Sequence, residues 1–137
     1  MSKPLCSFKG VRGRSMTVYE RKVVISTEVT IGSVITRNAT DGIKTIFFTD
    51  VVGVQFKPVG VTVGFIQFET PSMQMNNQNS NFFSENTFTF EEKNGVTNQK
   101  MSEVYEMICD LIEEIKFYNI DYMKSQNKAI SDELPDL

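Results

Sequence analysis

On both sides of a break near residues 58–60, apolar side chains recur at every second position. Val52, Val54 and Phe56 alternate with Gly53, Gln55 and Lys57, and beyond the Pro58/Gly60 break Ile66 and Phe68 alternate with Gln67 and Glu69. A period of two sends successive side chains to opposite faces of an extended chain, so this stretch reads as two antiparallel strands joined by a turn, each with one face toward water. A lone hairpin is marginally stable in water. The rest of the chain must therefore supply more strands and a cover for their dry faces.

Residues upstream provide strands. Met16 and Val18 alternate with Thr17 and Tyr19, Glu20-Arg21 offers a tight reversal, and a β-branched run from Lys22 to Thr27 completes a hairpin. Residues 5–11 are mixed in pattern. Residues 28–42 carry β-branched residues broken by Gly32, Asn38, Asp41 and Gly42, which reads as a long connection ending in a turn at Asp41-Gly42. Residues 43–48 form another strand, set off by Thr49-Asp50 from the next. After Thr70 the composition turns to Asn, Gln and Ser, and periodicity disappears through Glu85, as expected of a surface loop. Met73, Met75, Phe82 and Phe83 within it are expected either to pin the loop to the body or to form a contact surface. Phe88 and Phe90 then alternate with Thr87, Thr89 and Glu91 in a last strand with one wet face.

At Asn94-Gly95 the pattern changes period. Thr97 or Asn98 can cap a helix in which Met101, Val104, Ile108, Leu111, Ile112, Ile115, Tyr118 and Tyr122 recur at spacings of three and four. Glu103, Glu106, Asp110, Glu113 and Glu114 fill the opposite side. This amphipathic helix, expected over residues 97–124, is the cover that the strands need. A chain of 137 residues fits one domain, here residues 1–125, and residues 126–137 read as a flexible acidic tail.

There is no run of eighteen apolar residues and no basic start followed by an apolar stretch, so a cytoplasmic location is the expectation. Cys6 and Cys109 are too few and too far apart to suggest a disulfide framework or a metal site. The net charge of -3 conceals an asymmetry, +5 over residues 1–60 and -8 over residues 61–137. Such polarity can steer self-association, or draw an anionic partner to the basic end.

The order of elements, six or seven short antiparallel strands and then one amphipathic helix, resembles a pleckstrin-homology-like barrel, in which two orthogonal sheets are closed at one corner by the helix. At the residue level the stretches MTVYERKVVI (16–25), KTIFFTDVVGVQFKP (44–58), GFIQF (64–68) and NTFTF (86–90) resemble an uncharacterised bacterial family of this kind. Its members stand alone or carry a short C-terminal oligomerisation helix. Eukaryotic members usually place a Trp in the terminal helix; this chain has no Trp, so the resemblance implies that Tyr105 or Ile108 takes that space.

None of these blocks carries catalytic chemistry. With no histidine, Ser-His-Asp and Cys-His systems and His-containing metal sites are impossible. No phosphate-cradling GxxxxGK[ST] or GxGxxG occurs, and neither cysteine has a readable activating base. A non-enzymatic module without a cofactor is expected, and an acidic domain without aromatic-basic interleaving is not expected to bind nucleic acid. Lys9, Arg12 and Arg14 fall in the first hairpin loop, where the resemblance implies an anion site of phosphoinositide type, and guanidinium forks suit phosphate geometry. Anionic lipid or phosphate is therefore one candidate partner. Beyond Lys116 the helix still carries Phe117, Tyr118, Ile120, Tyr122 and Met123, a cluster that is costly in water unless covered. Folding back onto the body would cover it; so would a helix-mediated homo-oligomer or another protein, and self-association is the reading favoured here.

Overall fold

A computed structural model describes residues 3–27, 42–71 and 85–131, with the side chains of the last helix described as far as Phe117. Strands β1 (Cys6–Lys9), β2 (Arg14–Val18), β3 (Lys22–Thr27) and β4 (Gly42–Phe47) form one antiparallel sheet in chain order. Strands β5 (Gly53–Lys57), β6 (Gly64–Glu69) and β7 (Thr87–Phe90) form a second, and helix α1 (Asn98–Ser131) follows. The chain is thus mostly β with a single C-terminal helix among the described residues.

Among the described residues the strands do not close into a barrel. No ladder joins the two sheets among the described residues. Between β4 and β5 the chain makes a short 3-10 turn, Phe48–Asp50, which carries it out of one ladder before the next begins. Where β2 approaches β7, the junction is made by a side chain: the Arg14 guanidinium donates to the Thr87 carbonyl at 2.8 Å. Beside it Gly10 lies so close to β7 that a Cβ there would stand 2.1 Å from the Thr89 carbonyl oxygen. Only glycine permits that approach.

The β2–β3 hairpin turns at Glu20-Arg21 as the sequence suggests, with Val18 opposite Val23 and the Tyr19 N–H donating to the Lys22 carbonyl at 2.9 Å. The mixed segment before it is also a strand: Cys6 pairs with Val18, and Phe8 with Met16. The last strand departs from the expected wet face, because Thr87 and Thr89 are as buried as Phe88 and Phe90. On that side Phe65 and Gln67 of β6 stand opposite Thr89 and Thr87. Of the long connection expected over 28–42, only Gly42 lies within the described residues, and it opens β4. Residues 72–84, with Met73, Met75, Phe82 and Phe83, fall outside them.

The Asn94-Gly95 break is a two-residue turn in which both central residues have positive φ, 56° and 84°, closed by hydrogen bonds in both directions between Lys93 and Val96. Thr97 is the helix cap. Its hydroxyl accepts from the Lys100 N–H at 3.0 Å, satisfying one of the donors that a helix start leaves open. Met101, Val104, Ile108 and Ile112 then enter a core shared with Phe48, Ile66, Phe68, Phe88 and Phe90. Burying four such side chains contributes about 6 to 12 kcal/mol before the entropy of ordering them. Ile108 is fully buried, and Tyr105 stacks on Phe56 with ring centroids 5.6 Å apart, so both residues fill the helix–sheet junction. The helix runs on to Ser131, past the end expected near Lys124. Residues 124–131 contain no Gly or Pro to stop it.

Candidate functional site

The basic loop and the helix flank form two separate surfaces. In the loop, a 3-10 turn over Val11–Gly13 links β1 to β2, and Arg12 sits in the left-handed region at φ 55°, ψ 38°. Lys9 and Arg12 are exposed and border an open cleft of about 460 Å³. Across that cleft stand Glu91, Lys93 and Asn94, with Gly10, Val11 and Val63 forming its floor. Arg14, the third expected cation, does not join them. It is 3% exposed because it lies in phase with Met16 and Val18 on the inward face of β2. Burial lowers its pKa from the ordinary value, and the Arg12 charge adds to the effect. The cleft therefore gathers two of the three expected residues and adds Lys93, whose exposed place after β7 has no local signature.

The second surface lies where α1 passes β5. Val51, Val52, Gly53 and Val54 form one wall of a groove of about 380 Å³, and Cys109, Ile112, Glu113, Lys116 and Phe117 form the other. The helix wall follows from spacing: positions i, i+3, i+4, i+7 and i+8 share one face. The rim is apolar and open, with Val52 60% and Phe117 53% exposed. Phe117 is thus the one expected interface residue whose side chain is described, and it is exposed; Tyr118, Ile120, Tyr122 and Met123 lie beyond the described side chains. The valine wall has no functional signature in the sequence. Its residues look like ordinary strand members until the helix is placed beside them.

Two ties hold the helix along β5. At its start the Asn98 side chain pairs with the Val59 backbone, Oδ1 accepting from the N–H at 2.7 Å and Nδ2 donating to the carbonyl at 3.0 Å. Eighteen residues on, the Lys116 amine donates to the Val51 carbonyl at 2.7 Å. Val59 follows β5 and Val51 precedes it, so helix and strand run in opposite directions with both ends fastened. In the groove wall, burial raises the Cys109 thiol above its ordinary pKa, against the lowering effect of its hydrogen bond with Tyr105. Cys6 is likewise raised by burial, partly offset by the Lys100 charge. Neither thiol is disposed to ionise near neutral pH.

No described helix is long and apolar enough to cross a membrane. No protein-family model, curated protein or solved structure matches this chain.

Proposed function

We propose that this chain is a non-enzymatic protein-interaction domain of pleckstrin-homology-like architecture that self-associates through its C-terminal helix. The architecture is supported by the sheet order, four strands and then three, followed by one helix against the second sheet. The observation that carries the functional reading is the overrun of α1. Its last tie to the body among the described side chains is at Lys116, and the helix continues for fifteen residues to Ser131, a span of about 22 Å. Apolar residues continue with it in the sequence, and a stretch of this kind favours a partner. Light scattering on the intact chain and on one ending at Lys116 tests the reading. The intact chain is expected to be a dimer or larger and the shortened one a monomer; a monodisperse intact monomer at high micromolar concentration sinks it.

A second reading rests on the cleft of Lys9, Arg12 and Lys93: attachment to anionic lipid headgroups or free phosphate groups. Three cations near an anionic surface contribute about 1 kcal/mol each, which makes a salt-sensitive contact. Sedimentation with vesicles containing an anionic lipid at low salt is expected to lose binding in Arg12→Ala/Lys93→Ala. Equal sedimentation of that variant and the wild type removes this reading.

A further inference from the structure

The groove face of α1 extends beyond the groove. Continuing the spacing of three and four from Cys109, Glu113 and Phe117 leads to Ile120, Lys124 and Lys128. On this line one acid, Glu113, is followed by two lysines, and over the helix as a whole residues 98–117 hold five acids against two lysines, whereas residues 118–131 hold one acid against two lysines. A helix that is acidic in its first part and basic in its last is complementary to itself when turned end for end.

We infer, on the basis of the self-association proposed above, that the groove between β5 and α1 receives residues 118–131 of a second copy, the two helices pairing antiparallel about a two-fold axis between positions 118 and 119. In that register the sequence numbers of facing positions sum to 237. Lys124 faces the partner copy's position 113, a glutamate; Asp121 faces position 116, a lysine; Ile120 faces position 117, a phenylalanine. Lys128 faces position 109, one residue from the aspartate at 110. Just outside the Tyr118–Asn119 step at the axis comes the apolar match, and the charged matches lie beyond it, an order that helps an antiparallel pair to fix its register. The contact is isologous: each copy supplies one groove and one helix end, so the assembly closes at two. The half-exposed Phe117 and Val52 on the groove rim are then covered by the partner's helix end, and Glu113 on the helix wall gains a cation.

Cys109 provides the reporter. In a Cys6→Ser/Lys128→Cys chain, mild oxidation is expected to produce a disulfide-linked dimer through Cys109 and the introduced thiol. Cys6→Ser alone stays uncrosslinked, because two copies of position 109 would stand nineteen residues apart along the pair, about 28 Å. Adding Cys109→Ser is expected to abolish the link. Lys124→Glu/Lys128→Glu is expected to weaken the dimer on the order of a hundredfold by sedimentation equilibrium, since each reversed pair counts twice, and adding Glu113→Lys is expected to recover part of the loss. A dimer that gives no link through Cys109 and ignores the charge reversal overturns the antiparallel arrangement while self-association stands. A link that persists without Cys109 means a parallel pair, and also overturns it. An intact chain that is monomeric overturns both readings together.

Discussion

Two faces of the same helix have met different fates. One, with Met101, Val104 and Ile108, is sealed into the core over both sheets; the other, a rotation of the axis away, leaves Phe117 half exposed above a row of valines. Both carry apolar residues at helical spacing. What separates them is the ground beneath: the first faces Phe48, Phe68, Phe88 and Phe90, the second only the flank of β5. Periodicity tells which side of a helix is apolar. It does not tell whether the fold has enough sheet to cover that side.

Substitutions sharpen the contrast, and the largest effect is expected on the sealed face. Ile108→Ala leaves a cavity among fully buried neighbours and is expected to destabilise the fold by about 2 to 5 kcal/mol in denaturant titration. Phe117→Ala removes a larger side chain but is expected to change monomer stability by less than about 0.5 kcal/mol while weakening self-association. A large stability loss at Phe117 would erase the distinction between the faces. Asn98→Ala leaves the Val59 N–H and carbonyl without their side-chain partner and is expected to cost about 1 to 3 kcal/mol. Thr97→Ala, which removes only the cap, is expected to cost about 1 kcal/mol.

The smallest effect concerns pH. Cys6 and Cys109 have folded-state pKa values raised by burial, so in this range the folded state retains protons that the unfolded chain releases. Their contribution is fully present below the unfolded thiol value of about 8.5 and is lost as pH rises from there through the folded values. Thermal melts of the wild type are expected to fall more steeply above that point than those of a Cys6→Ser/Cys109→Ser chain. Parallel curves would mean that the thiols are not protected.

Much of this fold is legible in local patterns: the Glu20-Arg21 reversal, the Asn94-Gly95 turn, the Thr97 cap and the core stripe of α1 all follow from short-range chemistry. Strand β1 is less so, because its alternation lasts only four residues and is broken by Leu5 before it and Gly10 after it. Burial of Thr87 and Thr89 has no local signature, because a strand that alternates Phe with Thr reads as one dry and one wet face. Arg14 was legible in principle. Its phase with Met16 and Val18 marks an inward position, but a guanidinium suggests the surface, and only the waiting Thr87 carbonyl reverses that expectation. Lys93 joins the loop cations, and Val51–Val54 join the helix, across separations that no sequence window spans.

The pair of ties along β5 also has a mechanical meaning. From Asn98 to Lys116 the helix advances about 27 Å, and the extended chain from Val51 to Val59 covers much the same distance, so strut and strand are matched in length. A pull on the far end of the helix, directed along its axis, would load these fastenings in shear and share the force between them and the buried side chains that separate them. A sideways pull would instead peel the helix from Lys116 inward, one contact at a time. The domain should thus resist tension along the helix far better than across it, an anisotropy that single-molecule pulling from Ser131 in two geometries would measure directly.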